Sequence, residues 1–294
     1  MNKAWRITFF RAIAISAIAL VALVVLMTGS AFAITGNWAT DNEHPFVGLV
    51  VIYDSNGDFL WRGSGSLISP TVVLTAGHVV DTAEGAVSAR VYFQQGAGAN
   101  YHPDLGYDPI TGYPLYDSAD GLSRTSHELH NYGFANFAGF PNTHDAGLLV
   151  LDSPIYMSEY GQLPSAGVLD SLAAKRGLEK QVFTVSGYGL TLSVQEHSAL
   201  SNISYRSRLM AQEMLVNLKS HNTDGYNLQT QGNGDGRGGT CSGDSGGPVF
   251  LGGSTSNLIV GVTSFGMNSL CRGTDFAYRI DTKDVLAWIN GFMQ

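Results

Sequence analysis

The chain has 294 residues, of which 44% are apolar and only 14% charged, with 36 Gly, 13 Tyr and 14 Phe. That length can bury a substantial core; the low charge excludes a solvating or coiled-coil chain, and the Gly- and aromatic-rich mixture suits short strands and turns. Sixteen basic residues against 24 acidic give a net charge of −8, which argues against a nucleic-acid partner, since such binders are basic.

In chain order, the first segment reads as an export signal. Lys3, Arg6 and Arg11 form a positive region, Ala12 to Met27 is apolar apart from Ser16, and Ala31-Phe32-Ala33 is a small-x-small cleavage signal. Residues 1–33 are therefore expected to be removed, leaving a secreted chain with no membrane attachment. An uncleaved anchor is the alternative, but the apolar run is shorter than the roughly 20 residues a span needs.

Strand-like runs follow at Phe46 to Tyr53, Val72 to Thr75, Val87 to Phe93 and Leu148 to Leu151, then at Gln181 to Val185, Leu258 to Ser264 and Phe276 to Ile280. Turn residues bound them, and no strand-then-helix alternation appears, so the pattern predicts an antiparallel all-β fold. Gln94 to Pro141 and His221 to Gly239 read as long loops. The Asn-Gly-Asp-Gly run at 233–236 lacks the downstream Glu of a calcium loop and is taken as a turn. One helix is expected at the C-terminus, capped by Asp281, with Val285, Leu286, Ile289 and Phe292 on one stripe.

Only two cysteines occur, Cys241 and Cys271. An even count in an exported chain suggests one disulfide; two buried free thiols are the alternative. The histidines are scattered, with no H-E-x-x-H motif, so neither a metal nor another cofactor is expected. His127 and His130 are expected to face solvent.

Gly243-Asp244-Ser245-Gly246-Gly247-Pro248 carries the chemistry. A serine hydroxyl needs a base to become a nucleophile, and flanking glycines let backbone N–H groups approach a substrate oxygen. The run also fits the nucleophile elbow of α/β-hydrolases, but that chemistry requires a histidine after the serine, and none follows residue 245. The base must lie upstream. His78 ends Leu74-Thr75-Ala76-Gly77-His78, and Asp145 follows His144 and opens the apolar run Ala146 to Leu151. A carboxylate buried there needs a partner, and an imidazole N–H would serve.

Taken in order, these motifs resemble those of the chymotrypsin/trypsin-like serine proteases. Leu74 to His78 is similar to that family's TAAH motif, and Asp145-Ala-Gly-Leu-Leu-Val-Leu to its Asp-plus-strand motif. Cys241 to Pro248 resembles its nucleophile loop, Thr263-Ser264-Phe265-Gly266 its substrate-binding strand and Gly187-Tyr188-Gly189 its GWG turn. The resemblance runs from about Ile34 into the C-terminal helix. It implies two six-stranded antiparallel β-barrels, at 34–155 and 156–294, with the site between them and the helix docked on a barrel. It also implies a catalytic triad of His78, Asp145 and Ser245, and an oxyanion hole formed by the N–H groups of Gly243 and Ser245. Gly239, Ser264, Phe265, Gly266 and Asp275 would bind substrate.

Further implications follow from the same resemblance. Export cleavage would leave Ile34-Thr35-Gly36-Asn37 as a terminus similar to the family's IVGG, whose ammonium would pair with Asp244. Cys241 and Cys271 match the bridge beside the specificity pocket. The family's bridge beside the catalytic His is missing, with Gly63 and Val79 or Val80 at its positions. Gln94 to Pro141 becomes an insertion near the cleft, its aromatics serving either extended substrate binding or a satellite packing cluster. Gly239 stands where trypsin has its Asp, while Asp275 falls on the opposite wall. A basic or mixed preference for the residue before the scissile bond (P1) is therefore expected; a carboxylate turned away would leave a polar or apolar pocket. The expected partners are protein or peptide substrates, and a protein inhibitor. A catalytically silent relative acting as a binding protein is disfavoured by the complete triad. An exported chaperone-protease is disfavoured because no PDZ-like extension follows the second barrel.

Overall fold

The computed structural model describes residues 34–98, 102–173, 181–191, 205–232, 237–267, 271 and 273–293. The export signal, the Asn-Gly-Asp-Gly turn and the glycosylation-type pattern Asn202-Ile203-Ser204 lie outside these residues. Strands dominate, as the composition implies. In chain order they are β1 (Thr35–Gly36), β2 (Trp38–Thr40), β3 (Val47–Tyr53), β4 (Phe59–Leu67), β5 (Val72–Thr75), β6 (Ser88–Tyr92), β7 (Ser123–Ser126), β8 (Glu128–Asn131) and β9 (Gly147–Val150). The second half supplies β10 (Val182–Gly187), β11 (Leu209–Asn217), β12 (Asn227–Gln231), β13 (Gly238–Gly239), β14 (Pro248–Leu251), β15 (Ile259–Gly266) and β16 (Thr274–Arg279). The α-helices among the described residues are α1 (Asp170–Ala173) and α2 (Lys283–Asn290).

The first sheet has the order β7-β6-β3-β4-β5-β9-β8. Its centre is β3, whose seven residues are all buried, as an unbroken apolar run requires. Only His127 separates β7 from β8, so the two act as one bent strand. One half pairs with β6 and the other with β9, which brings the sheet round to near closure. At the bend the Ser126 hydroxyl donates to the Val150 carbonyl at 2.7 Å. Counted this way, the first barrel has the six strands expected.

The second sheet closes fully. β10 pairs with both β14 and β11, completing a six-strand ring through β15, β16 and β12. β2 extends this ring by pairing with the start of β11, and β1 pairs with β13. Residues 35–40 therefore join the strands of the second half, although they precede the first barrel in the chain. Ile34 is fully buried in the second core with Phe183, Val185 and Leu215.

Three expectations need correction. Both long loops contain strands: β7 and β8 lie within 94–141, and β12 and β13 within 221–239. Their polar compositions, SRTS, ELHN and NLQTQ, hid them, because their stability comes from pairing with already formed neighbours. Asp281 does not cap α2. Thr282 holds the cap position without a side-chain bond, while Asp281 accepts from Arg279 and from the Leu169 N–H. A buried guanidinium outcompetes a helix end for a carboxylate, because leaving it unpaired would cost several kcal/mol. The apolar stripe of α2 does dock as expected. Val285 and Ile289 are buried, Trp288 packs on Tyr132, and Phe292 packs on His130, so α2 clamps β8. His127 faces solvent, paired with Asp152, and His130 is half-buried.

Candidate active site

Each predicted triad residue stands at the end of an element that fixes it. β5 delivers Thr75, and a one-turn 3-10 helix, Gly77–Val80, then presents His78. Asp145 precedes β9, which pairs with β5 in register, Thr75 opposite Gly147. The pairing brings the two residues together: His78 Nδ1 lies 2.9 Å from Asp145 Oδ2, and the His78 main-chain N–H donates to Oδ1 at 2.8 Å. Asp145 is fully buried while the His78 side chain is 27% exposed, so the imidazole can meet a substrate and the carboxylate cannot. The Ser264 hydroxyl from β15 also donates to Asp145 Oδ2. Ser264 was assigned to the substrate strand from sequence; its bond to Asp145 is an addition.

This packing shifts both groups. Burial opposes charging of Asp145, but the His78 charge and the bonds from His78 and Ser264 outweigh it and hold the carboxyl below its ordinary value. Burial likewise opposes the imidazolium, yet the Asp145 carboxylate, with Asp81 behind it, raises His78 above the ordinary imidazole value. The structure thus stabilises a protonated His78 beside an ionised Asp145, the state a general base reaches after accepting a proton.

Ser245 lies on the tight loop before β14. The Ser64 N–H donates to the Ser245 carbonyl at 2.7 Å, and the Ser64 hydroxyl donates to the Gly243 carbonyl at 2.8 Å, so β4 of the first barrel grips the loop from both sides. Two glycines permit this grip. Gly243 has φ +95°, and Gly246 has φ +80° with the place of its absent Cβ only 2.0 Å from the Thr75 hydroxyl. Any side chain at 246 would push the loop off the strand carrying His78. Ser64 is a site residue that sequence reasoning missed, because nothing in the FLWRGSGSL run distinguishes it.

A cavity of about 270 Å³ opens beside Ser245. Its lining includes the predicted residues Ser264, Phe265, Gly266 and Asp275, together with Thr240, Thr263 and both cysteines. Cys241 and Cys271 are joined, with S–S at 2.05 Å, so the bridge forms part of the cavity wall. Phe265 stacks on Phe276 at 4.6 Å between ring centres. Gly239 stands directly behind Asp275: a Cβ there would lie 2.8 Å from Asp275 Oδ2. The carboxylate on the far wall thus fills the space that a side chain at 239 would need. Asp275 meets Glu213 of β11 there, a buried carboxyl that sequence reasoning missed.

Asp244 is fully buried and accepts from the Gly189 N–H at 2.8 Å and the Cys241 N–H at 2.9 Å. Burial pushes its carboxyl up to about 7 despite these bonds, with Asp275 adding to the rise. Ile34 is buried, and its neighbour Thr35 pairs with Gly239; among the described residues no bond joins Ile34 to Asp244. In place of the family's second disulfide, Val79 Cγ2 lies 2.9 Å from where a Cβ on Gly63 would stand, so side-chain packing occupies the position of the bridge. The aromatics of 94–141 divide. Tyr113 is buried beneath Arg62 and Arg206, a packing cluster, whereas Phe134 lies beside His78 and exposed Phe137 and Phe140 lie beside Phe265.

Two β-barrels, with an Asp-paired histidine on the first and a glycine-framed serine loop held by β4 of that barrel, give a chymotrypsin-like fold. The comparisons agree. The family model for trypsin matches residues 33–289, and the chain belongs to the trypsin family of serine proteases. Among solved structures it is similar to that of HL collagenase, with a TM-score of 0.60 at 20% identity over 88% of this chain and 98% of that one, a likeness of fold. No curated protein matches in sequence. No helix among the described residues is long and apolar enough to cross a membrane.

Proposed function

We propose that this protein is a secreted serine endopeptidase. Ser245 Oγ attacks the peptide carbonyl while His78 takes its proton; the imidazolium then protonates the leaving amine, and water hydrolyses the acyl-enzyme by the same route. Asp145, held by Ser264, fixes the His78 tautomer and stabilises its charged form. The N–H groups of Gly243 and Ser245 bind the developing oxyanion. The observation that carries this proposal is the His78–Asp145 pair, exposed on one side and buried on the other, beside a serine loop clamped to the same barrel.

Substrates are extended peptides. The cavity beside Ser245 takes the P1 side chain, and Asp275 in its wall favours a basic or mixed preference. Phe137 and Phe140 beside Phe265 offer an apolar ledge for residues further along the acyl side. Export cleavage after Ala33 frees Ile34, whose ammonium pairs with Asp244; the buried carboxyl, with no cation beside it among the described residues, supports this, since charge there needs a partner.

Incubation of a denatured protein mixture with the purified protein and with its Ser245→Ala variant, followed by mapping of new termini by mass spectrometry, tests the proposal. Cuts by the wild type alone are expected. Equal cutting by both, or labelling of neither by a serine-directed phosphonate while both are folded, would overturn it.

A further inference from the structure

Glu213 is a buried ionisable group that the mechanism does not use. It lies on β11, where burial alternates from Leu209 to Leu215 and places residues 209, 211, 213 and 215 inward. Three of these are apolar and the third in the row is a glutamate. Its surface exposure is 1%, and that of Asp275 is 7%. A single donor, the Thr240 N–H, lies 3.1 Å from both Glu213 Oε1 and Asp275 Oδ2, so the two carboxyls converge on one point. Thr230 donates its hydroxyl to Glu213 Oε2 at 2.6 Å. Two ionised carboxylates converging on one donor have only acceptors to turn to each other, so a proton held between them relieves the contact.

Among the described residues no cation relieves this contact. The groups facing the pair are the Thr230 hydroxyl from β12, the Thr240 N–H ahead of the nucleophile loop, and the Asp244 carboxyl from that loop. Gly239 adds no side chain, and no Lys, Arg or His among the described residues acts on either carboxyl. Burial first, then the Asp275 charge, raises Glu213 well above the ordinary carboxylate range. Asp275 lines the same cavity as Ser245, and so does Thr263, whose buried hydroxyl has no partner. The proton therefore sits one residue deep behind the wall that a P1 side chain would touch.

We infer that Glu213 is a specificity-determining residue: it holds a proton against Asp275, and the presence of that proton decides how strongly the pocket prefers a cationic P1 side chain to a neutral one. With the proton in place the pair carries one negative charge. A guanidinium or ammonium entering the cavity favours the doubly ionised pair, so the proton leaves to solvent as the cation binds. Preference for Arg or Lys then rises with pH, and neutral side chains compete best at low pH. This rests on the endopeptidase proposal only for what occupies the cavity; the linkage of cation binding to a proton does not need turnover.

Titration calorimetry of the full-length secreted protein tests it, with benzamidine as the cation and benzamide as its neutral counterpart, in two buffers of different ionisation enthalpy from pH 5.5 to 8.5. Release of up to one proton on benzamidine binding is expected, with affinity rising up to about tenfold per pH unit, while benzamide binds without that slope. Glu213→Gln, whose one oxygen can still accept from the Thr240 N–H while its amide nitrogen donates to the Thr230 hydroxyl, should abolish the extra release and flatten the slope, leaving only what His78 and Asp244 contribute. Asp275→Asn should remove the preference for benzamidine over benzamide. No proton release in the wild type, or the same release in Glu213→Gln, would overturn the inference. Proton-linked benzamidine binding in a protein that cleaves no peptide would sustain it and overturn the endopeptidase proposal instead.

Discussion

Asp244 is predicted to respond to one substitution with opposite signs in two forms of the chain. Where a residue precedes Ile34, the carboxyl is buried with two main-chain donors and no cation among the described residues, and stands at about 7 against an ordinary value near 4. A carboxyl raised on folding contributes fully below its unfolded value and loses that contribution as pH climbs through the folded one. At about 1.4 kcal/mol per pH unit, ionised Asp244 costs this form roughly 4 kcal/mol by pH 8. Asp244→Asn removes that cost but gives up one of two acceptors, worth about 1 kcal/mol. The extended chain should therefore gain roughly 3 kcal/mol at pH 8 and lose about 1 kcal/mol at pH 4, where the ionisation cost is absent. Where the chain starts at Ile34, the same substitution strands a buried ammonium and should cost about 3–5 kcal/mol, together with most of the activity. Urea unfolding of both forms at pH 4 and 8, in a Ser245→Ala background to prevent self-digestion, reads all values. An effect of the same sign in both forms at pH 8 would refute the reasoning.

Two further outcomes follow. The acid limb of kcat/KM should lie above the ordinary imidazole value near 6.5, because Asp145 raises His78 and only neutral His78 accepts a proton; Asp145→Asn should move the limb to lower pH, and an unmoved limb would exclude His78 as the titrating base. Replacing Cys241 and Cys271 by Ala should lower stability by about 3–4 kcal/mol and blunt P1 discrimination, since the bridge walls the cavity; thermal unfolding and substrate profiling of the double variant check both.

Much of this molecule is legible in its sequence, for identifiable reasons. β3 and β5 announce themselves because their runs are almost wholly apolar, and His78, Asp145 and Ser245 each adjoin a contiguous run whose spacing matches the proposed chemistry. β4 escapes notice because Gly63, Ser64, Gly65 and Ser66 interrupt its apolar residues. Yet those small residues are what allow the strand to lie against the nucleophile loop, so the feature that hides the strand is the one that builds the site. Ser64 holds Gly243 only because β4 and the loop meet across the barrels, a contact between residues far apart in sequence.

The floor of the cavity is illegible for a different reason. Asp275 pairs with Thr230 across β16 and β12, and Thr230 in turn pairs with Leu215 across β12 and β11. Glu213 therefore reaches Asp275 only through the registers of three strands. The alternation Leu209, Ala211, Glu213, Leu215 does carry a warning, since a glutamate at an inward position must find a partner or a proton. It cannot say which partner. Had the strand facing it brought a lysine, the same glutamate would have been a buried ion pair; facing Asp275 beneath the cavity, it becomes an acid whose proton is exposed to whatever charge the substrate brings.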